Sequence, residues 1–474
     1  MSACRRCRIS DGALRLRRRD FLAAAGAAAA AGRIGLFDFA SSLFAEEPKP
    51  AARPLVKVVY VRPQKEPIVS WPGGNCDVPA QQALFTKTLR EAARQLGVRL
   101  DVRDEPLNKA EDVTAFLEQV QKAPPDGLIV GAMSLETWQP VNEIVQKRGD
   151  VPTIVYSHVS GFTGHLQCGR NTPKTFLGAT QDVEWLGTAL RMFNTIWRMK
   201  NTRILMVTNA GPDVTLKPWG TVLHPIGLPR FAEELKKVEE TDEVRAIADF
   251  YEKNADKVIE PSRKEILDAA RNYIVCRRLM AAENCHGISI ACLGWPNPVC
   301  MSFSKLLDEG IVGGCEGDAN AVVGELLSIH LANRAGFIQD PSPNTVNNTL
   351  IGSHCTSALR LEGIDKPYRA PYMLRSYHTR TGCSVEALWP VGREVTVLHA
   401  EAGSPSMLVG TGRVRSNIPQ PPTGCCRTAV EIELDRVADT RDVKGFHQLF
   451  ILGNLERLFR AYGQLAGVKV APIA

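Results

Sequence analysis

The chain of 474 residues is long enough for about three domains with buried cores, which excludes a small disulfide scaffold. With 44% hydrophobic and 23% charged residues, the composition is that of a folded globular protein and not of a disordered or collagen-like one. The net charge of +6 sits at the start: residues 1–45 hold eight of the 57 Lys and Arg and three of the 51 Asp and Glu, leaving 49 basic against 48 acidic side chains. A body so evenly balanced offers no phosphate-tracking stripe, and nucleic acid is not an expected partner.

Residues 1–45 read as a targeting segment. Arg17, Arg18, Arg19, Asp20, Phe21 and Leu22 precede an Ala/Gly run from Ala23 to Gly32. Two Arg, a polar residue and Phe-Leu ahead of a weakly apolar stretch resemble a twin-arginine export signal, with cleavage after Ala45 and a periplasmic or extracellular destination. Arg33 and Asp38 interrupt the stretch and Ala and Gly dominate it, so a permanent membrane span is not expected. The cysteines after this segment show no paired spacing, so they read as small buried hydrophobes and not as a disulfide framework, although adjacent Cys425 and Cys426 leave room for oxidative chemistry.

From Leu55 onward, strand and helix alternate. Apolar runs at Val56 to Val61, Val98 to Val102, Gly127 to Val130 and Thr153 to Tyr156 are separated by helix-period stretches at Ala80 to Leu96, Ala110 to Gln121 and Trp138 to Lys147. Strict alternation predicts a doubly wound parallel sheet over residues 55–165. A second α/β set follows over 166–345, with strands at Arg203 to Val207 and Gly287 to Cys292 and helices up to Ala319 to Ala332. After that, short runs at Tyr372 to Tyr377, Val395 to Leu398, Ser406 to Val409 and Ala429 to Leu434, punctuated by Gly, Pro and Ser, predict a β-rich antiparallel domain over 346–474, closed by an amphipathic helix at Asn454 to Ala466.

No GxGxxG, Walker loop, GxSxG or HExxH occurs in this body, so the chemistry must come from scattered groups. The densest polar cluster is Gly313-Gly314-Cys315-Glu316-Gly317-Asp318, between a predicted strand and the helix that starts at Ala319. The carboxyl end of a parallel strand is where open α/β sheets place ligands, which marks Glu316; Asp318 reads equally well as the cap of the following helix. Asp340, ahead of Pro341 in a predicted loop, and His447, ahead of the last helix, are further candidates, although an Asp-Pro pair alone is a turn signal and a lone His is usually a core residue.

Cys315-Glu316-Gly317-Asp318-Ala319, Phe337-Ile338-Gln339-Asp340, Ser353-His354-Cys355-Thr356, and His447 with Gly453 and the terminal apolar helix together resemble the L-fucose isomerase family in its shorter, fucose-isomerase-like form. The resemblance spans about residues 55 to 470 and is strongest after Ala291. It implies that Glu316, Asp340, 24 positions later, and His447 bind one divalent metal, usually manganese, with magnesium the alternative. By the same analogy Glu316 and Asp340 form the proton-transferring pair of an aldose–ketose isomerase working through an ene-diol. Asp318 and His354 become candidates for holding sugar hydroxyls or orienting ligands, and Trp295, in Leu293-Gly294-Trp295-Pro296, for stacking on a sugar face. The family also implies a homo-oligomer, trimer or hexamer. An exported chain leaves two alternatives: a related epimerase or lyase using the same metal site, or a non-catalytic sugar-binding protein, since two α/β lobes around a cleft also describe solute receptors.

Overall fold

In the computed structural model the described residues are 53–63, 77–158, 161–295, 298–421 and 424–474, so the export signal read in residues 1–45 lies outside them. Five strands, β1 (Leu55–Val61), β2 (Arg99–Val102), β3 (Gly127–Ala132), β4 (Thr153–Ser157) and β5 (Thr175–Ala179), form an all-parallel sheet in the order β2-β1-β3-β4-β5. Alternate strand residues feed two separate cores. Val56, Val58, Tyr60, Ile129 and Ile154 pack with α1 (Val78–Leu96) and α4 (Trp185–Lys200), whereas Val59, Val61, Leu128, Val130 and Val155 pack with α2 (Ala110–Lys122) and α3 (Trp138–Lys147). Both faces are therefore covered by helices, as alternation requires. The sheet continues through β5 to Ala179, past the expected limit at residue 165.

The second sheet holds β6 (Arg203–Thr208), β7 (Val214–Thr215), β8 (Val222–Gly227), β10 (Gly287–Ile290) and β11 (Val312–Cys315) in the order β11-β10-β6-β8-β7, parallel except at β7. Helices α5 (Leu228–Lys236), α6 (Asp242–Asn254), α7 (Arg263–Ala282), α8 (Cys300–Asp308) and α9 (Ala319–Ala332) accompany it. The short strand β9 (Lys257–Val258) leaves this sheet to pair with β14 (Tyr372–Arg375), itself paired with β15 (Ser384–Ala387).

The remaining strands are β12 (Phe337–Asn344), β13 (Thr349–His354), β16 (Glu394–Glu401), β17 (Ser406–Asn417), β18 (Thr428–Leu434), β19 (Gln448–Leu452) and β20 (Lys469–Pro472). They run in the order β16-β19-β12-β13-β18-β17-β20, and a further β16–β17 pairing closes the first six into an antiparallel barrel, with α10 (Glu456–Ala466) between β19 and β20. The barrel begins earlier than the sequence suggests, because residues 337–344 are its strand β12 and not a loop of the second α/β set. Pro341 and Pro343 hid this strand. β12 pairs with β19 only over Phe337 to Gln339, so the proline-bearing half has a neighbour on one side alone, β13, and the missing N–H groups fall on the free side.

Helix α9 joins the two halves of the site. It packs on α4 and α8's sheet from one side and on β16 and β19 of the barrel from the other. At Gly324 a Cβ would lie 2.7 Å from Leu449 Cδ1, so the glycine lets the helix sit directly on β19. Leu449 is fully buried in that contact.

The same helix carries Glu325, fully buried, with neither carboxylate oxygen hydrogen-bonded among the described residues. Burial raises its pKa well above 4.5, so the folded protein holds it as a neutral acid. The unfolded chain releases that proton once the pH passes 4.5, and the folded state then loses stability relative to it as pH rises. Urea unfolding between pH 5 and pH 8 should therefore show Glu325→Gln gaining stability over the parent as pH increases; a pH-independent difference would contradict a buried neutral acid.

Candidate metal centre

Glu316 immediately follows β11, the edge strand of the second sheet, at its carboxyl end. The chain must leave the strand and enter α9 within three residues, and it does so with Glu316 and Gly317 both in the left-handed region, at φ 62° and 69°. For a non-glycine residue this conformation costs about 1–3 kcal/mol, a strain that persists where surrounding structure fixes it. His447, at φ 53°, carries the same strain on the opposite wall. Two residues earlier, Gly445 is at φ 90°, and a Cβ there would fall 2.5 Å from the His399 ring, so only glycine brings the chain past His399 to present His447.

The barrel supplies the other donors from three adjacent strands. Asp340 lies in β12 opposite Ser353, His354 ends β13, and His447 immediately precedes β19, whose Gln448 stands opposite Gln339. This register sets Asp340, His354 and His447 side by side at one rim, facing Glu316. His354 Nε2 is 3.5 Å from Glu316 Oε1, and His447 Nε2 is 3.3 Å from both Glu316 Oε2 and Asp340 Oδ1. One donor atom each from Glu316, His354 and His447 lie within 4.8 Å of one another. The compact set thus includes His354, expected only as an auxiliary residue, while Asp340 stands beside it in contact with His447.

Asp318 has two roles, one per oxygen. Oδ1 accepts from the Asn320 and Ala321 amides at 2.5 and 3.0 Å and caps α9; Oδ2 accepts from His447 Nδ1 at 2.7 Å. The cap and the functional reading of this residue therefore hold together. By occupying Nδ1 the carboxylate leaves Nε2 of His447 to point at Glu316, which fixes ring orientation as carboxylates do beside metal-bound histidines.

The centre is charged and incompletely paired. Chiefly His354, then His447, hold the Glu316 carboxyl well below the usual carboxylate range. Burial opposes a charge on His447, but Asp318, Asp340 and Glu316 overcome it and push this imidazole up to about 11. His354 is raised in the same way, burial working against the cation and Glu316 for it. Even so, Asp340 Oδ1, His354 Nε2 and His447 Nε2 are buried with no hydrogen-bond partner among the described residues. Each such atom costs about 1–3 kcal/mol unless something else satisfies it. Glu316, His354 and His447 thus form a set of two imidazoles and one carboxylate that could hold a metal ion, with Asp340 beside it.

Cys292, just past β10 and beside this strand end, is a neighbour the sequence reading passed over as a small hydrophobe. Contact with Cys315, and an N–H from Glu316, bring its thiol down to about 7 despite burial. The available signal was its place at the carboxyl end of a parallel strand next to β11. Trp295, expected to meet a sugar face, packs edge-on against Phe231, with ring centroids 6.3 Å apart, and its indole N–H has no partner among the described residues.

Against models of known protein families and against curated proteins, the chain has no match. Among solved structures it is similar to the periplasmic component of an ABC-type sugar transport system from Hahella chejuensis, at 15% identity over 50% of this chain and 79% of that one. The TM-score of 0.18 is too low to bear on fold or function. Among the described residues no helix is long and apolar enough to cross a membrane.

Asp318→Asn keeps an oxygen for the helix cap and removes the carboxylate behind His447. Manganese titration of this variant should show affinity reduced about 10- to 100-fold with little change in unfolding free energy, whereas Asp318→Ala should lose about 1 kcal/mol of stability as well. Unchanged manganese affinity in both variants would separate His447 from any metal.

Proposed function

We propose that this protein is a divalent-metal enzyme of the sugar isomerase type, similar to the L-fucose isomerases, that moves protons between neighbouring atoms of a free monosaccharide. The observation that carries this reading is the meeting of Glu316, His354, Asp340 and His447, distant in sequence, with three of their buried donor atoms unpartnered. Glu316, His354 and His447 would hold manganese, with Asp340 adjacent. A bound cation there supplies positive charge that lowers the cost of an oxyanion on either of two neighbouring sugar oxygens.

The rest falls to the side chains. Asp340 is the most open of the four, its side chain 38% exposed against 19% for Glu316, and is the carboxylate a sugar reaches first. As a carboxylate it takes the proton from the carbon next to the carbonyl. As the resulting acid it returns that proton to the former carbonyl carbon. Glu316, turned toward the same space by its left-handed backbone, serves the transfer of the hydroxyl proton from one oxygen to the other. His447, locked by Asp318, and His354, at the barrel rim, keep the two carboxylates apart and oriented. Twin-arginine export, with folding and metal loading completed beforehand, and assembly into a trimer or hexamer belong to the same proposal.

Incubation of the manganese-loaded protein with aldoses and ketoses in deuterated water should place solvent deuterium at the carbon next to the carbonyl. Chelation should abolish the exchange and added manganese restore it, while Glu316→Gln and Asp340→Asn should each lower it by about 100-fold or more. Sugar binding that survives chelation, with no deuterium incorporated into any sugar, would support the receptor reading instead.

A further inference from the structure

A second donor cluster of different chemistry lies one residue beyond His354. Cys355 is buried, directly after β13; Cys426 lies two residues before β18, whose Thr428 stands opposite His354. His378 lies in the loop after β14, and one ligand atom each from Cys355, Cys426 and His378 fall within 4.8 Å of one another. Cys300, at the first turn of α8, also contacts the Cys355 thiol. The three donors come from separate segments, so local sequence does not force the approach.

The framework is built to keep them there. Arg427, next to Cys426, is fully buried, and its guanidinium donates to the carbonyls of Ser376 at 2.6 Å, Tyr377 at 3.2 Å and Pro421 at 2.6 Å. One side chain thus clamps the segment before His378 to the segment before Cys426. The Gly424 amide donates to the His378 carbonyl at 3.1 Å, closing the same loop from the other side. The rings of Tyr377 and His378 lie 3.7 Å apart between centroids, which sets the imidazole plane. Such positioning of ligands by neighbouring groups is characteristic of metal sites.

We propose that Cys355, Cys426 and His378 form a zinc site, separate from the centre at Glu316. Thiolate and imidazole donors select zinc over manganese or magnesium, and two cysteines with one histidine supply three of its four tetrahedral positions, leaving the fourth to water. Binding releases the thiol protons to solvent and involves no electron transfer. Cys355 follows His354 directly, so the zinc would fix the end of β13 and, through it, the His354 imidazole of the neighbouring centre.

The test uses the full chain, stripped of metal and kept reduced, with cobalt(II) as the probe. A thiolate-to-cobalt absorption band should grow in the near ultraviolet, saturate at one equivalent and be displaced by zinc. Glu316→Gln should retain the band, and Cys426→Ser and His378→Ala should weaken cobalt binding by more than about tenfold. Absence of the band in the parent protein overturns the proposal, whatever the variants do. So does a band that persists at full affinity in a folded Cys426→Ser, or a disulfide between Cys355 and Cys426 in the protein isolated without reductant.

Discussion

Four ionisable side chains gathered in a mostly buried space repel or attract one another strongly, and the structure holds them there at the cost of backbone strain and unmet hydrogen bonds. Glu316 and His447 both occupy left-handed conformations, and Asp340, His354 and His447 each leave a buried polar atom unpartnered. A fold tolerates such costs where the group that satisfies them arrives from outside. The strands, caps and glycines around this point hold the four groups together. β11 ends at the surface of its sheet so that Glu316 can turn inward, and three neighbouring barrel strands present the other donors in register.

The link between the halves is α9. Its first residue follows Asp318, whose carboxylate caps the helix with one oxygen and orients His447 with the other. Its middle, at Gly324, lies against Leu449 of β19, two residues after His447. One helix therefore fixes the distance between the α/β tip and the barrel rim at both ends. A change in its packing would alter the geometry of the Glu316, His354 and His447 cluster without touching any of the three.

Much of this was legible in the sequence. The alternation from Leu55 to Tyr156 predicts the first parallel sheet, and the carboxyl end of a strand beside a helix start marks Glu316 and Asp318 by local pattern alone. What stayed hidden has physical causes. β12 contains two prolines and β8 contains Pro225, residues that argue against strands unless one edge is free. β5, Thr175–Ala179, follows a segment with Gly161, Gly164, Gly169, Asn171 and Pro173 that reads as the end of a domain. His354 and Cys292 owe their positions to register between strands far apart in the chain, which no local pattern encodes. The same holds for His378 and Cys426, whose flanking segments are bridged by a buried arginine that donates to the carbonyls of Ser376, Tyr377 and Pro421.

The most direct test of the account is the anomalous scattering of manganese in crystals of the full protein grown with that ion. One strong peak should stand between Glu316, His354 and His447, with donor atoms at about 2.0 to 2.6 Å, on the Glu316 side of the His447 ring. Electron density showing those side chains joined only to each other or to water, with manganese bound elsewhere or nowhere, would contradict it.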